Sequence, residues 1–118
     1  MDLRVYGIKN CDSMKKTFQW LNVRSINYIF IDFKTTALTK IQISEWLEGI
    51  GNSLVNTRGK SYRQLDEATK ANFTGQTRLD AIVRQPTLIK RPLLVRGDIM
   101  IVGFLPKIWT QTANLLPK

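Results

Sequence analysis

Cys11 is the residue best equipped for chemistry. It is the only cysteine in the chain and stands in the polar run Lys9-Asn10-Cys11-Asp12-Ser13, where a thiolate can serve as nucleophile or redox group. A sulfur placed where a helix begins faces unpaired backbone N–H groups and the positive end of the helix dipole, both of which favour thiolate over thiol. A cysteine thiol drops from its ordinary value to about 3.5–7.5 at helix N-termini or beside cations. Lys9, Lys15 and Lys16 add nearby positive charge, and Asp12 opposes them. Free cysteines are often buried filler, but polar neighbours on a strand-to-helix turn place this one at the surface.

A second signal is Arg91-Pro92. Proline biases the residue before it toward extended backbone and can hold a cis peptide bond. A guanidinium presents a planar fork of donors that grips oxyanions or carboxylates and lowers the pKa of a nearby thiol. By residue type alone, arginines such as Arg58 and Arg91 are more often simply solvated.

Composition excludes a good deal. With no histidine and one cysteine, zinc, haem and Ser-His-Asp chemistry lose their commonest ligand or base, and no internal disulfide can form. No metal site and no bound cofactor are expected. The net charge of +9 is spread along the chain without a recognised nucleic-acid signature, so a solvated basic surface is expected rather than direct nucleic-acid binding. No apolar run approaches the roughly 18 residues of a membrane span. The start, Met1-Asp2-Leu3-Arg4, lacks the order of a secretory signal, so a cytoplasmic location off the membrane is expected.

The elements that must hold Cys11 follow from hydrophobic spacing. Leu3-Arg4-Val5-Tyr6 alternates as a short strand ended by Gly7. Met14, Phe18 and Leu21, with Thr17 beside them, recur at three and four residues and predict an amphipathic helix, with Asp12 and Ser13 as starting residues. Asn27 to Phe33, rich in aromatic and β-branched residues, predicts a second strand. The crossover makes the two strands parallel and puts Cys11 at the carboxyl end of the first, where ligands collect.

Thr39 and Gln42 read as a capping box ahead of Ile43, Trp46, Leu47 and Ile50, a stripe that stops at Gly51. Short helical pieces follow at Tyr62 to Leu65, Ala68 to Phe73 and Leu79 to Val83. Leu93-Leu94-Val95 and Ile99-Met100-Ile101-Val102 flank Arg96-Gly97-Asp98 as a hairpin, and a terminal helix from Pro106 is expected to bury Ile108, Trp109, Leu115 and Leu116. Trp20, Trp46 and Trp109 are expected to be core or partly buried aromatics rather than stacking platforms. At 118 residues, one domain over 1–118 with a helical insertion at about 39–88 is expected.

Three segments, Tyr6-Gly7-Ile8-Lys9-Asn10-Cys11-Asp12, Asn56-Thr57-Arg58-Gly59 and Ile89-Lys90-Arg91-Pro92-Leu93, together resemble the arsenate reductase (ArsC) and Spx superfamily, most closely its YffB-like branch. The resemblance spans nearly the whole chain. It implies an α/β fold, a thioredoxin-like, glutaredoxin-type four-stranded mixed sheet with a helical insertion between strands two and three. It also implies that Cys11 is the nucleophile and that Arg58 and Arg91 converge on it, with Lys9, Asn10 and Pro92 in the substrate- or glutathione-binding surroundings. Arsenate reductases of this type carry a third arginine after the last hairpin, where this chain has Gly103, and Spx pairs two cysteines in Cys-x-x-Cys, where this chain has Met14.

The function the resemblance implies is a thiol-dependent reductase with one cysteine, glutathione as co-substrate, glutathione or a glutaredoxin as partner, and a small oxyanion or disulfide as substrate. Two alternatives stand beside it: a glutathione/glutaredoxin-coupled arsenate reductase, and an Spx-like, non-enzymatic regulator that binds RNA polymerase.

Overall fold

In the computed structural model, which describes residues 1–117, ten regular elements follow the expected order β-α-β, helices, β-β-α. They are β1 (Arg4–Gly7), α1 (Asp12–Val23), β2 (Ile29–Asp32), α2 (Lys40–Ile50), α3 (Lys60–Arg63), α4 (Glu67–Ala71), α5 (Gly75–Arg84), β3 (Leu93–Arg96), β4 (Ile99–Val102) and α6 (Pro106–Gln111). They fall into two compact units, one of Met1–Thr36 and 91–117, the other of Ala37–Lys90.

The first unit is built on a four-stranded mixed sheet in the order β2-β1-β3-β4. β1 runs parallel to β2, with Arg4 opposite Ile29 and Gly7 opposite Asp32, and antiparallel to β3, with Val5 opposite Leu94. As a central strand it is covered on both faces, so Val5, Tyr6 and Gly7 are all buried. β2 is shorter than the expected Asn27 to Phe33 because β1 offers it only four partners. One further hydrogen bond at each end, Ile29 N–H to the Leu3 carbonyl and Phe33 N–H to the Gly7 carbonyl, both 2.8 Å, finishes the ladder.

β3 and β4 form the expected hairpin, with Arg96 opposite Ile99 across Gly97-Asp98. Gly97 has φ +61, the left-handed value that a two-residue turn requires and that glycine adopts without steric cost. α1 buries Met14, Thr17 and Leu21. The Thr17 hydroxyl, which burial would otherwise strand, donates to the Ser13 carbonyl at 2.7 Å. Phe18 packs between Tyr28 and Phe30, with ring centroids 5.7 and 5.0 Å away.

The terminal helix is shorter than expected. α6 stops at Gln111, Ile108 is 42% exposed, and Leu115 reaches full burial from the irregular segment beyond the helix. The chain leaves the helix at the C-cap Thr112, whose backbone is extended (φ −86°, ψ 110°) and whose hydroxyl donates to the Ile108 carbonyl at 2.7 Å. Leu3, Val5, Met14, Leu21, Leu94, Trp109 and Leu115 form the core of this unit.

In the second unit the capping box is present as expected. Gln42 N–H donates to Thr39 Oγ1 at 3.1 Å, and Thr39 N–H donates to Gln42 Oε1 at 3.3 Å. α2 then buries Ile43, Trp46 and Leu47 and ends at Gly51, φ +77. Thr39→Ala removes the first of these bonds, and its expected cost is about 1 kcal/mol of stability, read as a lower urea midpoint at unchanged slope.

α3 and α4 are short, and Asp66 caps α4 by accepting from Thr69 N–H at 2.7 Å. α5 starts earlier than the expected Leu79 and buries Ala81 and Ile82. Hydrophobic spacing did not reveal the pairing of two extended stretches: Val55 bridges Ile89, Lys90 N–H donates to the Leu54 carbonyl at 2.7 Å, and Asn56 N–H donates to the Leu88 carbonyl at 2.9 Å. No helix among the described residues is long and apolar enough to cross a membrane.

Candidate thiolate site

The site in the first unit is set by the way β1 hands over to α1. Gly7 ends β1 under Met14, and a Cβ at position 7 would come within 2.7 Å of Met14 Cε and nearer still to its Sδ. Met14 is fully buried, so its side chain has no free direction in which to yield. Gly7→Ala is therefore expected to cost about 1–3 kcal/mol by overpacking, measured by chemical denaturation.

Lys9 and Asn10 are exposed in the loop that follows, and Cys11 is partly exposed against the core of the unit. Cys11 is the N-cap of α1, with extended backbone (φ −141°, ψ 133°), one position earlier than the first helical turn. Its own carbonyl accepts from Lys15 N–H at 3.0 Å and closes that turn.

The electrostatics of the sulfur are a contest. Partial burial pushes the Cys11 thiol up. Against it act the backbone N–H of Met14, a hydrogen bond from the Arg91 side chain, the backbone N–H of Ser13 and the positive charge of Arg91, and together they hold the thiol below its ordinary value of 9.0. Unpaired helical N–H groups and one guanidinium thus carry the effect. Lys9, Lys15 and Lys16, which the sequence suggested as helpers, are exposed, where water screens their charge.

Arg91 is partly exposed and precedes buried Pro92 through a cis peptide bond. The Pro92 carbonyl accepts from Gly103 N–H at 2.8 Å. Gly103 has φ +101, a conformation that side-chain-bearing residues rarely adopt. A side chain placed at this position, where related arsenate reductases carry an arginine, would meet that backbone strain. The N–H groups expected where the helix begins are those of Met14 and Ser13, whereas the Gly103 bond to the Pro92 carbonyl is a backbone contact that residue types did not reveal.

Arg58 belongs to the second unit. It is exposed on the turn Asn56–Gly59, where its N–H donates to Asn56 Oδ1 at 3.2 Å. Gly59 permits that turn, since a Cβ there would lie 2.8 Å from Asn56 Nδ2. Together with Val55, Asn56, Thr57 and Lys90, Arg58 lines a polar hollow of this unit, suited to an anionic group.

Comparisons with known proteins agree with this architecture. The family model described as "ArsC family" matches residues 6–112. An uncharacterized protein of Haemophilus influenzae is 35% identical over 103 residues, covering 86% of this chain and 90% of that one. The solved structure of the YFFB protein superposes with a TM-score of 0.88 at 34% identity, covering 92% of this chain and 96% of that one. The regulatory protein MgsR of Bacillus subtilis is 27% identical over 108 residues, covering 88% of this chain and 84% of that one. A thioredoxin-like mixed sheet, a lone cysteine at the head of its first helix and a family match over nearly the full length lead to one conclusion: the chain belongs to the ArsC family.

Proposed function

We propose that this protein is a thiol-dependent reductase that uses Cys11 as its nucleophile and glutathione as its electron donor. The observation that carries the reading is a partly exposed sulfur held below its ordinary pKa by the N–H groups at the head of α1 and by Arg91. Thiolate is the attacking species in disulfide exchange. Attack on a disulfide forms a Cys11–sulfur bond and expels the other sulfur as a thiolate. A glutathione thiolate then attacks the mixed disulfide, which frees Cys11 and carries the substrate sulfur away. A second glutathione reduces that product, so glutathione supplies both electrons. Cys11 is the only cysteine, so every resolving thiol comes from outside.

Lys9, Asn10 and Pro92 are proposed to border the bound substrate or glutathione. Arg58 is proposed, on the resemblance, as a further anion-binding group. Arg58→Ala is expected to raise KM for an anionic substrate about tenfold or more, with the Cys11 pKa unmoved.

The test is mass spectrometry of the intact protein after treatment with glutathione disulfide, followed by reduction with glutathione and glutaredoxin. One adduct on Cys11 that is released with turnover is expected. A sulfur that takes up no glutathione under conditions that modify free cysteine sinks the reading. Arsenate is the weaker substrate choice, because Gly103 supplies no third guanidinium, and coupled arsenate turnover decides it.

A regulatory reading is favoured by the likeness to MgsR, and by analogy with Spx its partner is RNA polymerase. Capture of purified polymerase, undiminished by Cys11→Ser and without any reductase turnover, selects that reading over the enzyme.

A further inference from the structure

α1 has a second face that the thiol chemistry does not use. Lys16, Gln19, Trp20 and Val23, continued by Arg24 at the C-cap, lie three and four positions apart and form a stripe beside the buried Met14, Thr17 and Leu21. With Phe104 they line an open groove of about 260 Å³. That is room for one anchoring side chain, since sites for drug-sized ligands run to about 300–1,000 Å³.

The floor of the groove is aromatic and braced. Trp20 and Phe104 each meet the buried Trp109 edge to face, with centroids 5.4 Å apart in both pairs. Arg24 lies 4.0 Å over the Trp20 ring and donates to the Trp20 carbonyl at 3.2 Å. Val23 at its lip is 74% exposed. Tryptophan and arginine are among the residue types enriched where binding energy concentrates at protein interfaces.

Charge around the groove has one sign. Lys15 and Lys16 stand exposed on α1, Arg24 just past its end and Lys107 on α6, whereas α6 has no acidic residue and α1 has none after Asp12. A second copy of this chain would set cations against cations, which disfavours self-association here. An acidic segment answers both features of the groove.

We propose that the groove docks an acidic segment of a partner protein, one aromatic or aliphatic side chain seated on Trp20 and Phe104 with flanking carboxylates facing Lys16 and Arg24. This docking is independent of the thiol chemistry proposed above.

The test is an NMR titration of the intact protein with a synthetic glutamate-rich peptide carrying a central Leu-Phe pair. Two control peptides replace either the glutamates by lysine or the Leu-Phe pair by alanine. Shifts centred on the Trp20 indole and the Val23 methyls are expected with the first peptide, weakening as salt rises. Both controls should bind at least about tenfold more weakly, as should the K16E/R24E and V23E variants, while Cys11→Ser binds like the parent.

Several results overturn the proposal. They are equal binding of either control, affinity unchanged in both variants, no shifts at millimolar peptide, stronger binding to anionic phospholipid vesicles than to the peptide, or the same shifts from concentrating the protein alone.

Discussion

Arg91→Ala is expected to move the midpoint of Cys11 alkylation by iodoacetamide upward in pH, and Cys11→Ser to remove alkylation and glutathione exchange altogether. The direction follows from the groups around the sulfur. Arg91 acts twice, as hydrogen-bond donor and as charge, against a burial effect that pushes the thiol up. With the guanidinium gone, only the Met14 and Ser13 N–H groups oppose burial. The midpoint therefore rises toward 9.0, the ordinary value.

Stability carries the same signature. A thiol whose folded pKa lies below its unfolded one stabilises the fold fully above the unfolded value, and the contribution is lost as pH falls through the folded value. Between the two, the unfolded chain binds the extra proton, so stability rises with pH. The parent protein should gain stability over Cys11→Ser as pH climbs toward 9.0, measured by urea midpoints at matched ionic strength. A flat difference across that window, or an unmodified alkylation midpoint in Arg91→Ala, contradicts the site.

Trp109→Ala is expected to cost about 3–5 kcal/mol, the largest loss of any single truncation proposed for this chain. Trp109 is fully buried in the core with Leu3, Met14, Leu21 and Leu115, and its ring braces Trp20 and Phe104. Its removal leaves a cavity that relaxed neighbours fill only in part. Against a usual net stability of about 5–15 kcal/mol, such a loss leaves a visible unfolded population in mild urea.

Trp109→Phe separates packing from polarity. The indole Nε1 is buried without a hydrogen-bond partner among the described residues, a state that costs about 1–3 kcal/mol. The phenylalanine variant discards that donor along with part of the ring, so it should be much milder than alanine. Circular dichroism in urea reads both variants without relying on tryptophan emission. A loss under about 1 kcal/mol for Trp109→Ala would mean that the core closes over the gap.

Local rules captured the parts of this fold that local chemistry decides. Thr39 and Gln42 announce a capping box because the bonds join residues three apart, and Gly97 announces its turn because few other residues take φ +61. The β-α-β start was legible because Met14 and Leu21 repeat on one helical face. Features set by distant partners were hidden. The length of β2 depends on β1, and the Val55–Ile89 bridge joins residues far apart in sequence.

The same division holds at the site. Cys11 stands out as a lone thiol among polar residues where a helix begins, which already implies N–H groups around the sulfur, yet its place as N-cap and the φ of Gly103 are backbone matters that residue types do not display. Arg91 was implied by the resemblance, with the proline after it as local support, and its hydrogen bond to the sulfur required the fold.

The sheet order leaves β2 and β4 as rims, and β4, Ile-Met-Ile-Val, has neither proline nor charge to deter a foreign strand. Its protection is brevity. Four residues fall short of the six or seven or so that a dry cross-β zipper interdigitates, and Gly103 bends the backbone away immediately afterwards. Concentrated solutions of the folded protein should thus resist fibril seeding at this margin, and lengthening β4 by two apolar residues would remove the safeguard.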